Sequence, residues 1–217
     1  KSDLAPYFGT SYRSVAISNL IDVDFFAYRS RMHSPSSHFR FCCLAINDWR
    51  KGYDVLFNAF NQVAEVLPYV ELHIAGAGTD ERPFFDEFAA LPCCGKVRTY
   101  GQLDKERIRR LLYNSDALVL ATRSESQGLV LLEALSTGIP AISTEAIPKS
   151  VIIDGFSWFV PVDDAKSMAD CMLRVAQQKD YDGRKASELV RSMASPDVIG
   201  HKIELILSQA IDEAFSE

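Results

Sequence analysis

The sequence predicts an α/β fold: a mostly parallel sheet with helices packed on both faces. Three features carry this expectation. Short apolar, β-branched runs alternate with longer segments of helical period along most of the 217 residues. The short runs are nearly continuous in apolar character, as strands covered on both sides must be. The longer segments carry helix-start residues and one-sided apolar stripes. Such alternation makes βαβ units, and hence a Rossmann-like sheet in a single domain.

Taken in order, strands are expected over 14–18, 39–45, 70–75, 96–100, 117–121, 140–143 and 157–160. After Gly52, the residues Leu56, Phe60, Val63 and Leu67 recur at helical spacing, so a helix is expected over 53–67. Asp104 is a candidate N-cap for a helix over 105–113, with Ile108, Leu111 and Leu112 on one face. Asp164 is placed to cap a helix in which Met168, Cys171, Met172 and Val175 align. Ser195-Pro196 opens a last helix, over 195–217, striped by Ile199, Ile203, Ile206 and Ala210. The stretch "SRMHSPSSH" at 30–38 reads as a polar connector.

Composition narrows the function. With 47% hydrophobic and 24% charged residues the chain can bury an ordinary core. A formal net charge of -6 gives no electrostatic footprint for nucleic acid, and the basic run from Lys105 to Arg110 reads as a solvated helix face. Five cysteines without metal-ligand spacing, and four scattered histidines, point to reduced thiols in a cytoplasmic protein and to no metal. No apolar run approaches the roughly 20 residues that a membrane span needs, and no signal peptide is visible. The chain begins at Lys1 without a methionine, so it is taken as a piece of something longer.

In an open α/β sheet, ligands bind beyond the carboxyl ends of the strands, so the loops there hold the candidate chemistry. Lys51-Gly52 directly precedes a helix, where an ammonium and backbone N–H groups can meet phosphate, although the pair also fits an ordinary loop. "AGAGTDER" at 75–82 lacks the third glycine of a dinucleotide loop and is followed by Pro83, so it reads as a turn. "GQLD", including Gly101 and Gln102, lies where a flat ring could be received. The most informative loop is "ESQGLVLLE", 125–133, in which Glu125 and Glu133 bracket Gly128. The first turn of a helix there offers unpaired N–H donors, and Gly128 lets a ligand come close. A carboxylate suits hydroxyls rather than phosphate, so the spacing describes a ligand with phosphates in the middle and hydroxyls at both ends. The plainer alternative is that Glu125 caps the helix and Glu133 is solvated.

"ESQGLVLLEALSTGIPAIST" (125–144) resembles the donor-site signature of family 4 retaining glycosyltransferases, which have the GT-B fold. "ISNLIDVDFF", "KGYDVLFNAF", "LHIAGAG", "VRTYGQL", "SDALVLAT" and "IIDGFSWFVPVDD" follow in that family's order, so the resemblance covers roughly 14–180. It implies that 1–217 is the nucleotide-sugar-binding, C-terminal domain of such an enzyme, without the N-terminal acceptor domain. The catalytic pair is then Glu125, facing the transferred sugar, and Lys51, on the leaving diphosphate. Glu133 holds the ribose, while Gln127, Gly128, Leu129, Arg50, Gly101 and Gln102 complete the substrate contacts. The implied partners are a UDP-, GDP- or ADP-linked sugar, a glycan or lipid acceptor, and the N-terminal half, through which the protein could sit at the cytoplasmic face of a membrane. No metal or other cofactor is implied. This sequence departs from the family at Ala45 and Ile46, where Gly-Arg is usual, at Leu20, and in "TEAIPK" (144–149), where a glycine loop is usual. Those departures keep a second reading open, a non-catalytic nucleotide-sugar-binding or regulatory module.

Overall fold

A computed structural model describes residues 15, 17, 19–30 and 38–214. Six parallel strands are found there: β1 (Phe39–Leu44), β2 (Val70–Ala75), β3 (Val97–Thr99), β4 (Ala117–Val119), β5 (Ala141–Thr144) and β6 (Ser157–Val160). Their order across the sheet is β3-β2-β1-β4-β5-β6, with Phe41 opposite Ala117 where β1 meets β4. The chain winds outward from β1 to β3 and then returns to β1's other edge. The loops after β1 and β4 therefore diverge at their carboxyl ends and leave a crevice between them.

The expected strands are found at the expected places from residue 39 onward. The strand expected over 14–18 falls on residues of which only 15 and 17 are described, and most of the connector at 30–38 lies outside the described residues. The helix α1 (Tyr53–Val66) buries Leu56, Phe60 and Val63 between the sheet and α5 (Ala165–Gln177). In α5 the stripe of Met168, Cys171, Met172 and Val175 is buried, and the Asp164 carboxylate accepts from Ser167 N at 2.9 Å. Asp104 likewise caps α3 (Lys105–Tyr113), accepting from Arg107 N at 2.8 Å.

Three elements differ from the sequence reading. Pro83 does not break a helix but sits in the first turn of a short one, α2 (Arg82–Asp86), where its missing N–H has no partner to lose. A helix absent from the sequence reading, α6 (Gly183–Ala194), packs against α4 (Leu129–Thr137). Its buried stripe includes Ala186, Val190 and Ala194, its other face is charged, and Asp182 caps it at Lys185 N. The last helix, α7 (Pro196–Ala214), buries Ile199, but Ile203, Leu205, Leu207 and Ile211 are exposed, so its stripe does not pack on this domain's core. No helix among the described residues is long and apolar enough to cross a membrane.

All five cysteines are free thiols, four of them buried, and burial pushes Cys43 up to about 12. They act as small apolar side chains here.

Candidate functional site

At the β1–β4 crevice the structure forms a cavity of about 310 Å³. Its floor is the strand ends at Leu44, Ala45 and Leu120, and its walls are the two diverging loops. Lys51 reaches in from the first loop, at the end of a 3-10 turn (Trp49–Lys51). Glu125 reaches in from the second, and the Lys51 ammonium donates to Glu125 Oε2 at 2.8 Å. Both side chains are largely shielded, with 22% and 19% of their surface exposed, so the pair is stronger than a surface ion pair.

Glu125 Oε1 accepts from the backbone N–H groups of Ser126 at 2.9 Å and Gln127 at 3.2 Å. Burial alone weakens it as an acid, but the hydrogen bonds from Lys51 and the following backbone outweigh burial and hold the carboxyl below the usual glutamate range. One carboxylate oxygen thus braces the turn ahead of the next helix without capping that helix, which begins only at Leu129.

Beyond Gln127 the chain turns through Gly128, in the left-handed region at φ 67°, and enters α4 with no side-chain cap. The first-turn N–H groups at Leu129 and Val130 thus face the cavity without a side-chain acceptor. Partial positive charge from the helix end adds to that of Lys51. One turn along α4, about 6 Å by helical rise, Glu133 closes the far wall.

Glu133 is half-buried, and no hydrogen bond or ion pair to it forms among the described residues, so it is not the solvated glutamate considered above. Burial pushes its carboxyl above the ordinary glutamate value of 4.5, offset in part by Lys105. Because the folded value is raised, the unfolded chain releases this proton first. Glu133 therefore destabilises the fold as pH rises through and above 4.5. Glu133→Gln is expected to raise the unfolding midpoint at pH 7 and to leave it unchanged at pH 3, as read by thermal melts at the two pH values. Equal shifts at both would disprove an electrostatic cost at this position.

Of the expected site residues, the fold gathers Lys51, Glu125, Gln127, Gly128, Leu129 and Glu133 around one cavity. Arg50, Gly101 and Gln102 do not line it. The Arg50 guanidinium turns back onto Asp48 in a bidentate pair at 2.8 and 2.9 Å, holding that carboxyl at about 2. Gly101 is stitched to the neighbouring loop, its carbonyl accepting from Gly76 N at 2.8 Å. Asn19, from the linker, donates to the Gln127 side chain.

Sequence reasoning missed Arg123. Its guanidinium pairs with Asp163 at 2.6 Å and Asp54 at 2.7 Å and donates to the Trp49 carbonyl at 2.7 Å, while its backbone N–H donates to the Arg50 carbonyl. Thr122 Oγ1 reaches the same carbonyl at 3.1 Å. These bonds tie the Lys51 loop to the Glu125 loop, setting the distance between the two charged groups. Nothing in the local pattern announces this, because the partners lie 40 to 74 residues away. Among the described residues, no group of three His, Cys, Asp or Glu side chains gathers as a metal site would.

The site is thus a doubly wound parallel sheet with a cation, a helix N-terminus and two carboxylates in its switch-point crevice, an α/β domain with its chemistry at the strand ends. The chain belongs to the glycosyl transferases group 1 family, whose pattern it matches over residues 39–178. It is 25% identical over 213 residues to WcaL of Escherichia coli K12, named as a colanic acid biosynthesis glycosyltransferase, with 92% of this chain and 52% of that protein aligned. The chain thus spans about half the length of this relative. Its fold matches Anabaena HepE solved with UDP-glucose (TM-score 0.74, 17% identity, 89% of this chain and 57% of that one). It also matches the crystallised C-terminal domain of the group 1 glycosyl transferase LpcC from Francisella tularensis (TM-score 0.67, 16% identity, 79% of this chain and 96% of that one). These neighbours place the fold among GT-B glycosyltransferases.

Proposed function

We propose that this chain is the C-terminal, donor-binding half of a retaining glycosyltransferase of family 4 type, and that the cavity between Lys51 and Glu133 holds a nucleoside diphosphate sugar. The observation that carries this reading is the single cavity in which a shielded Lys51–Glu125 pair, an uncapped helix N-terminus and the unpaired Glu133 face one another. The diphosphate takes Lys51 and the N–H groups of Leu129 and Val130, since both are donors with positive charge. Glu133, half-buried with no partner of its own, accepts from the ribose hydroxyls. Glu125 keeps one oxygen on the backbone and turns the other from Lys51 to the transferred sugar. As the glycosidic bond breaks, negative charge develops on the departing diphosphate, and Lys51 with the helix end stabilises it there without a metal. In this reading the departing phosphate takes the acceptor's proton, and the sugar is passed on with its anomeric configuration retained.

The acceptor, a glycan or lipid, is met on an N-terminal half that pairs with this domain. The domain reading draws support from the LpcC match, where a C-terminal domain is covered almost end to end. A nucleotide as ligand draws support from the HepE structures, which hold UDP and UDP-glucose. Free, buried thiols suit a reducing, cytoplasmic location.

Titration of the chain with UDP, GDP and ADP by calorimetry tests the reading. One of the three is expected to bind, and Glu133→Ala is expected to weaken it by about 1 to 3 kcal/mol for the lost hydrogen bonds to a carboxylate. Silence toward all three in a folded sample would overturn the proposal, and an undiminished affinity in Glu133→Ala would remove the ribose assignment.

A further inference from the structure

Parallel strands in a doubly wound sheet are covered on both faces and carry apolar side chains toward each. One face of β1, β2 and β3 breaks that rule. Arg40 stands opposite Glu71, and His73 opposite Arg98, across neighbouring strands. Helix α3 lies nearby but leaves a hollow of about 690 Å³ over these residues, into which it turns Arg107 and Arg110. Four guanidiniums and one carboxylate therefore surround one hollow, in a chain whose net charge is -6.

The carboxylate acts as a hub. Glu71 accepts from Arg40 Nε at 3.2 Å and from Arg98 at 3.4 Å, with His73 Nε2 at 3.3 Å. These donors outweigh burial and keep Glu71 ionised, so it can only accept, and the His73 proton sits on Nε2. His73 Nδ1 then accepts from the Tyr100 hydroxyl at 2.8 Å. Burial lowers His73, so the ring is neutral at pH 7 and the positive charge of the hollow comes from arginine alone. Glu71 thus orients Arg40 and Arg98 while its own oxygens are used up. Arg107 has only a 3.6 Å approach to Asp104, and no ion pair to Arg110 forms among the described residues. Arg107 and Arg110, both exposed, thus keep guanidinium donors available at the rim of the hollow.

We infer that this hollow binds a phosphoryl-bearing anion, at a site separate from the Lys51–Glu125 cavity. Guanidinium forks match phosphate oxygens in pairs, and a bound dianion offsets the mutual repulsion of four neighbouring arginines. The volume exceeds that of a lone phosphate, and Tyr100, Leu103 and Leu111 give an apolar flank for an organic moiety. A free organophosphate or diphosphate and an anionic lipid headgroup share this chemistry.

The test uses the Lys51→Met chain, in which the other cavity has lost its cation. It is titrated with pyrophosphate by calorimetry and sedimented with phosphatidylcholine vesicles containing or lacking phosphatidylglycerol. At least one probe is expected to bind, and adding Arg98→Ala with Arg110→Ala is expected to weaken it about tenfold or more, since two charged donors are removed. Both arginines are exposed, so the fold tolerates the change. Pyrophosphate binding assigns a free ligand; binding to phosphatidylglycerol vesicles alone assigns a headgroup. As a second measurement, the same arginine substitutions in the parent chain remove one of two pyrophosphate binding events. Failure of both probes, or binding that survives loss of both arginines, overturns the inference and leaves the nucleotide reading of the other cavity untouched.

Discussion

Replacing Gly52 by alanine is expected to destabilise the fold by about 2 to 4 kcal/mol, a lower midpoint in denaturant unfolding at unchanged slope. Gly52 holds φ 64°, where an L side chain strains the backbone, and an added Cβ would stand 2.1 Å from the Ala121 carbonyl oxygen. That oxygen lies two residues past β4, in fully buried backbone with little room to step aside. The control is Gly95→Ala, where a Cβ meets nothing within 4 Å and the change is expected to stay within about 0.5 kcal/mol. Similar midpoints for the two variants would show that the crevice is looser than its geometry implies. The contact that makes Gly52 irreplaceable also joins the Lys51 loop to the Glu125 loop, so the packing constraint and the chemistry share one residue.

The second large effect is expected on binding. Lys51→Met removes the cation from the cavity while keeping most of its aliphatic stem. Affinity for the nucleoside diphosphate should fall by about 2 to 3 kcal/mol, some 30- to 150-fold, in calorimetric titration. Stability should fall as well, with a defined pH signature. The Glu125 carboxyl is held low in the folded state, so its contribution is present above the ordinary glutamate value of 4.5 and is lost as pH falls through the folded value. Without Lys51 the largest of the interactions lowering it disappears. The stability gap between parent and variant should therefore be wide at pH 7 and close under acid. A gap that persists below pH 3 would assign the loss to packing instead.

How much of this was legible in the sequence depends on how local each cause is. The strands at Val70–Ala75 and Ser157–Val160 were readable to the residue because a continuous apolar run bounded by turns needs no partner to be recognised. Asp104 and Asp164 were readable as caps because capping reaches only three residues along the chain. The helix over Gly183–Ala194 was overlooked although its pattern is amphipathic, because alanines rather than large apolar residues fill most of its buried side. At the site, Lys51, Glu125 and Glu133 followed from loops after strands and from one family-like signature. Arg50 was misjudged because its nearest acceptor, Asp48, is two residues away and captures it before any ligand does. Arg123 and the arginine-lined hollow were invisible for the opposite reason. Arg40 and Arg98 become neighbours of Glu71 only through sheet register, and the basic run at Lys105–Arg110, solvated as read, also borders their hollow through Arg107 and Arg110.

The return of the chain from β3 to the far edge of β1 has a kinetic side. Lys51 and Glu125 are 74 residues apart, and their cavity has no local precursor: each wall is an open loop until β4 seats beside β1. Closing a contact of such separation costs loop entropy before any of its bonds reward it. A ligand that needs both walls is thus blind to a chain with β1 to β3 assembled but β4 unseated. Ligand retention across a refolding time course would then act as a clock for the seating of β4 beside β1.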